Sequence, residues 1–177
     1  MEPPIDPTPI PPAEPVTSAP DPALTKADPV KRFVAVLIDG LLAGVVASIL
    51  GMGGIRMYGL GLLVAAAYIL VRDGLTLDFA DGRSIGKKLM KLRPVRLDGG
   101  AMDMETSVRR NWTLALGSAL SGLSYFIGGW GGFFLLTALA GLAGLLALVE
   151  CILVISDADG RRIGDKQANT QVVVVEE

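Results

Sequence analysis

The stretch DGRSIGKK, residues 81–88, returns 78 positions later as DGRRIGDK, residues 159–166, with six of the eight residues unchanged. Each copy closes a long apolar run. Residues 33–55 carry a single charge, Asp39, while 57–71 and 111–149 carry none. In 177 residues that are 51% hydrophobic, the apolar residues are thus blocked together rather than spread over amphipathic faces. Apolar runs of about 18 residues or more are candidate membrane spans. Backbone in lipid has no water to bond, so such runs are expected to be helical. Four spans are read, at about 33–53, 55–72, 112–129 and 132–155, with GMGG (51–54) and GGWGG (128–132) as the tips of two hairpins.

The same offset works upstream of the phrase. VKR at 30–32 aligns with VRR at 108–110, and Gly53-Gly54 with Gly131-Gly132. The unit is a basic lead-in, a helix, a glycine-rich tip, a second helix, and the closing phrase. Asp81, Gly82, Arg83, Gly86 and Lys88 of the first phrase match Asp159, Gly160, Arg161, Gly164 and Lys166 of the second. Each unit enters and leaves on one side, so the fold class expected is all-α membrane protein: four transmembrane helices as two parallel-repeat hairpins. Three charged positions differ between the copies: Lys87 against Asp165, Arg72 against Glu150, and Asp39 against Gly117. Such divergence lets an acid of one half meet a base of the other.

The charge distribution orients the hairpins. Of 16 Lys and Arg residues, only Arg56 falls at an expected outer tip. Basic residues near span ends stay cytoplasmic, which places both termini inside. Residues 1–29 are rich in proline and acid and are expected to be a disordered tail ahead of a domain at 30–175. The tail lacks the basic start of a cleavable signal peptide. Segment 84–96 is dense in Lys and Arg, and 84–92 has the spacing of a short amphipathic helix. Beside two spans it is expected to meet anionic lipid headgroups rather than nucleic acid. PVRL (94–97) and QVVVV (171–175) are β-rich and occupy matching places, which predicts a small cytoplasmic β patch.

Catalytic chemistry is scarce. There is one cysteine, Cys151, and no histidine. That leaves no Cys/His metal site, no cofactor signature, and no Ser/His/Asp or Cys/His set, so no enzyme is expected. The informative polar residues are the acids inside the spans, Asp39 and Glu150. A carboxylate in the bilayer faces the bundle, pairs, or holds its proton. Arg32 lies seven residues before Asp39, on the same helix face and about 10 Å away along the axis. One reading is ion or solute transport, with Asp39 and Glu150 carrying a proton or cation in a shared pocket and Arg32 tuning them. The alternative is a non-catalytic scaffold or assembly partner. In it Asp39 is a counter-ion for Arg32 or Arg110, and Glu150 one for Arg72. Four spans make a thin wall for a pore, so transport would favour a homo-oligomer. Gly40-x-x-x-Gly44 offers a close-packing face, better used within the chain.

With these residues assembled, the chain resembles the RDD family of bacterial integral membrane proteins over about 28–175. KRFVAVLIDGLL supplies the family's Arg32 and Asp39, and IGDKQANTQVVV its later acid, Asp165. GRSIGKKLMKLRPV and VRRN resemble the family's other two phrases. Gly164 stands where the family often has histidine, which leaves the acid itself untouched. The resemblance implies a multi-pass protein of the bacterial inner membrane. It also implies either transport, including sodium/proton exchange, or a part in membrane-protein quality control. Asp165 is expected on the cytoplasmic side, capping a helix or holding Arg32 or Arg83.

Overall fold

The computed structural model describes residues 25–75, 82–127 and 129–175. Four long helices dominate: α1 (Pro29–Gly51), α2 (Ile55–Val71), α4 (Met104–Ser124) and α5 (Trp130–Ser156). A short helix and a strand follow each pair, α3 (Ile85–Leu89) with β1 (Leu92–Arg96), and α6 (Ile163–Gln167) with β2 (Thr170–Val174).

The helices begin where capping chemistry allows, not where hydropathy rises. Asp28 caps α1, accepting from the Val30 and Lys31 amides at 2.7 and 3.3 Å, with Pro29 at the first helical position. Asp103 caps α4, accepting from the Thr106 amide at 2.7 Å. Both helices therefore start ahead of the apolar limits at 33 and 112: the apolar run marks the lipid-facing part, and the cap marks the first turn. α5 starts inside GGWGG, so Trp130, Gly131 and Gly132 are helical and that tip is narrower than expected. Gly128 lies outside the described residues.

Helices α1 and α5, of 23 and 27 residues, are long and apolar enough to cross a membrane. Neither is the core helix of a water-soluble domain, because only 22% and 11% of their apolar stretches are buried. Leu41, Ile155 and Trp130 are 70%, 71% and 80% exposed. An apolar surface of this extent fits contact with lipid. The chain is a helical membrane protein. α2 is apolar but spans 17 residues.

Helix α2 packs on both α1 and α4, and α4 packs on α5, whereas α1 and α5 barely touch. Glycine makes the first contacts possible. A Cβ on Gly59 would lie 2.6 Å from the Tyr125 Cβ, and one on Gly61 would lie 2.6 Å from the Ala47 Cα. Backbones thus meet at van der Waals distance.

The predicted β patch is present, at one end of the bundle. β1 and β2 are antiparallel, with Pro94 opposite Val172. Lys26 bridges to Val173, and the Ala27 amide donates to the Val172 carbonyl at 3.2 Å. Residues 25–28, at the end of the expected tail, thus contact the sheet; residues 1–24, the rest of that tail, lie outside the described residues. Ala27, Ala35, Leu92 and Val172 form the buried core under the sheet. The expected amphipathic helix at 84–92 is shortened to Ile85–Leu89. Its Lys87 turns inward, 5% exposed, because a buried acid waits there.

Candidate functional site

Charged residues at the end of the bundle that carries the sheet converge on one buried ionic cluster. Asp39, 1% exposed on α1, accepts from Arg72 Nη1 at 3.0 Å, the Gly86 amide at 2.8 Å and the Tyr68 hydroxyl at 3.3 Å. The carboxylate thus ties three segments together: α1, the end of α2, and the first turn of α3. Only glycine fits at 86, since a Cβ there would lie 2.0 Å from the Ala35 carbonyl oxygen.

Asp73, just beyond α2, is fully buried. It receives Lys87 Nζ and, at 3.0 Å, Asn111 Nδ2. Arg110 Nη1 lies 3.7 Å away. Ser107 Oγ accepts from the Asp73 amide at 3.2 Å and donates to the Leu70 carbonyl at 2.6 Å. Burial pushes the Asp73 carboxyl up, but Lys87, Arg110 and Arg72 outweigh it and hold the group well below the usual carboxylate range. Burial pulls Lys87 down to about 7, with Asp73 opposing and Arg72 and Arg110 adding to the fall.

Asp165 is the second hub. Arg32 Nη2 donates to it at 2.6 Å and Arg162 Nε at 3.2 Å. Arg110 Nε lies 2.9 Å away, close enough for charge pairing but not aligned for a hydrogen bond. One Asp165 oxygen also accepts from the Arg162 amide at 3.4 Å, closing the first turn of α6. Arg32 Nη1 donates in addition to the Gly160 carbonyl. Burial raises the Asp165 carboxyl, yet Arg110, Arg162 and Arg32 together hold it well below its ordinary value.

Glu150, 1% exposed on α5, accepts from the Gly164 amide at 3.3 Å and sits 3.7 Å from Arg162 Nε. Its Oε2 makes no hydrogen bond. Gly164 repeats the role of Gly86: a Cβ would lie 2.0 Å from the Arg110 carbonyl oxygen. So each short helix presents a glycine amide to a buried carboxylate. In the first half that acid comes from α1, in the second from α5.

These contacts sort the expected site. Arg32, Asp39, Asp165 and Glu150 are all buried at the end of the bundle that carries the sheet. Asp165 holds Arg32 and closes the first turn of α6, both as expected of it, whereas Asp39 and Glu150 take partners other than those expected. Arg32 takes Asp165 rather than Asp39, because Arg72 reaches Asp39 first from α2. Glu150 sits with Arg162 and not with Arg72. Asp39 and Glu150 do not share the cavity beside this cluster: Glu150 lines it and Asp39 does not. Within the repeated phrase, Gly82 and Gly160 take the left-handed conformation, with φ of 65° and 66°. Arg83 is buried. Arg161 pairs with Asp159 at 3.0 Å and Lys166 with Asp157 at 2.5 Å, outside the cluster. Lys88 is half-buried. Asp81 lies outside the described residues.

Three members of the cluster escaped the sequence reading: Asp73, Asn111 and Arg162. Asp73 follows Arg72 directly and looks like an ordinary charged flank. Asn111 carried a signal, being a polar amide at the mouth of a 39-residue charge-free run. Arg162 carried none, because its counterpart in the first phrase is Ser84.

No curated protein and no solved structure is detectably similar to the chain. The profile of the RDD family, by contrast, matches residues 26–169, a stretch that holds every residue of the cluster. By that match and by the Arg32, Asp39 and Asp165 that its buried core is built on, the chain belongs to the RDD family.

Proposed function

We propose that the protein is a four-span, non-catalytic membrane scaffold built from two tandem hairpins, with the ionic cluster and both termini on the cytoplasmic side of a bacterial inner membrane. The observation that carries the scaffold reading is the state of Asp39. Three donors saturate a carboxylate that is 1% exposed, which suits a permanent counter-ion better than a carrier that must release its ion. Arg32 with Asp165, and Arg110 with Asp73, then pin residues of the first hairpin to residues of the second. The basic helix ends support the orientation.

Two tandem units are supported by the sheet. Its register centres on Pro94 and Val172, which are 78 positions apart, the offset of the repeat. A two-fold axis through that pair also exchanges two bonds, Leu97 amide to Asn169 carbonyl and Val175 amide to Lys91 carbonyl, both 2.9 Å. Lys91 and Asn169, again 78 apart, share a left-handed φ of 55° and 50°.

A second reading, cation/proton exchange, is favoured by Glu150. Its Oε2 has no hydrogen bond, and the residue lines a cavity with Arg32 and Arg72. Flux measurements in liposomes decide between the two. Under the scaffold reading, Na⁺, K⁺ or Li⁺ drives no proton movement, and Asp39→Asn lowers the melting point sharply, by an amount equivalent to about 3–5 kcal/mol. Cation-driven proton movement that Glu150→Gln abolishes while melting is unchanged would replace the scaffold by the exchanger.

A further inference from the structure

Helices α1 and α5 barely touch, although the other neighbouring pairs of long helices pack closely. The offset of 78 carries α4 onto α1 and α2 onto α5, so this seam is the counterpart of α2 against α4. The α2–α4 seam is closed by glycine. A Cβ on Gly122 of α4 would lie 2.8 Å from the Gly59 carbonyl oxygen and 2.9 Å from Leu63 Cδ2 of α2. A Cβ on Gly59 would lie 3.1 Å from Phe126 Cε2. In the other seam, Gly122 and Phe126 become Gly44 and Ser48 on α1, while Gly59 and Leu63 become Thr137 and Gly141 on α5. All four are exposed, and a Cβ on Gly44 or Gly141 meets nothing within 4 Å. The same contact surface is thus written in both halves and engaged in only one.

The open faces suit a helix. Small residues let backbones approach closely in a membrane, and hydroxyls bond from one helix to the next. Ser48 and Thr137 are exposed hydroxyls on apolar helices, at the places where Phe126 meets Gly59 in the closed seam. An α5 laid on α1 in that manner brings the two hydroxyls together. Closure within one chain is opposed by the Gly59–Gly122 contact, the β1–β2 pairing and the Arg32–Asp165 bridge, which set how the hairpins stand. A second copy carries the mate of each open face. In the same orientation in the membrane, its α5 runs opposite to α1, as α2 does to α4. A foreign helix would have to reproduce that face.

We infer that two copies associate through these faces, α1 of each lying antiparallel on α5 of the other about a two-fold axis along the membrane normal. Gly44 of one copy then meets Thr137 and Gly141 of the other, with Ser48 beside Thr137. The inference rests on the two-hairpin reading and not on the choice between scaffold and exchanger.

The test uses the full chain with Cys151→Ser, which removes its one thiol. Chains carrying Ser48→Cys are co-expressed with chains carrying Thr137→Cys, and the membranes are oxidised. A disulfide joining two chains is expected, and none from Ile49→Cys with Thr137→Cys, since residue 49 points about 100° further round α1. In neutral detergent the parent has the mass of two chains by light scattering. Gly44→Leu, which meets nothing in its own chain, has the mass of one, with unchanged helical circular dichroism. A parent of one chain in detergent that also gives no disulfide in membranes overturns the dimer. A dimer that survives Gly44→Leu overturns this interface. A chain carrying both Ser48→Cys and Thr137→Cys is also diluted into excess cysteine-free chain. A disulfide within that chain shows that the seam closes on itself, which likewise overturns the dimer. Val95→Cys with Gln171→Cys, opposed in the sheet, reports on the halves of one chain. Its disulfide forming while the seam disulfide fails sinks the dimer alone. Its own failure sinks the relation between the hairpins and the dimer with it. Should a cysteine variant not fold, the mass of the parent against that of Gly44→Leu decides.

Discussion

Asp39, Asp73, Glu150 and Asp165 show what a carboxylate needs in order to stay buried. Asp39 and Asp73 each have a close cation and an amide donor, and Asp165 has a ring of arginines; Glu150 is the least satisfied. The depressed titration of Asp73 and Asp165 has a consequence for stability. Their ordinary value is 3.8, and in the fold they give up the proton well below it. Below that value the unfolded chain binds protons that the folded chain does not, so the contribution of these acids is whole above about pH 4 and drains away as pH falls. Melting in detergent from pH 6 to pH 2.5 should therefore be level at first and fall from about pH 4. A level curve to pH 2.5 would mean that the pair gives no linkage. Two glycines allow a sharper contrast. Gly86→Ala sets a methyl 2.0 Å from the Ala35 carbonyl oxygen, whereas a methyl on Gly40 meets nothing within 4 Å. Gly86→Ala should abolish the folded population on size exclusion, and Gly40→Ala should leave melting within about 0.5 kcal/mol of the parent.

At the scale of elements, the helix limits depend on side chains that hydropathy ignores. Asp28 and Asp103 start α1 and α4 with amide-accepting carboxylates, several residues before the apolar runs begin. Asp103 also takes a hydrogen bond from Arg96 at 3.2 Å, so it links the end of β1 to the start of α4. Asp103→Ala should cost about 1 kcal/mol in melting measurements, and Asp103→Asn clearly less, because the amide oxygen still caps. Equal losses would place the effect in the exposed contact with Arg96 rather than in the cap. The short helices α3 and α6 are too brief to be stable alone. They persist because their glycine amides bond to buried carboxylates and their backbones rest on α1 and α4. That is why a segment read as an amphipathic surface helix is instead docked, with Lys87 facing inward.

At the scale of the molecule, the halves are joined in three ways: the α2–α4 contact, the β1–β2 pairing and the ionic cluster. The ionic link between Arg32 and Asp165 can be weighed by a double-mutant cycle. Arg32→Met and Asp165→Asn should each destabilise, and the double variant should lose less than their sum by roughly 1–3 kcal/mol. Additive losses would show that Arg110 and Arg162 suffice for Asp165. The proposed two-fold relation between the hairpins accounts for the sheet: strand segments equivalent under it can pair antiparallel about the axis only if they cross at equivalent residues, as Pro94 and Val172 do.

Much of this was legible in the residues themselves. Charge-free runs fix where helix must meet lipid, and the β-rich ends of the two phrases predict the patch, since both are local consequences of composition. Arg32, Asp39 and Asp165 stand out because charge inside or beside an apolar run is costly unless it is paired. Arg32 with Asp165 was among the pairings expected, but the partners of Asp39 and Glu150 were not legible. Arg72, rather than Arg32, meets Asp39 because α2 runs back along α1 and delivers its last turn to that depth, while Arg32 is drawn to the start of α6 from the other half. Asp73 joins the cluster only because α4 brings Arg110 and Asn111 beside it. Sequence spacing sets which residues share a helix face. Only the packing of α2, α4 and the two short helices sets which opposite charge arrives within about 3 Å, and at that range the low dielectric of the interior lets the nearest partner win.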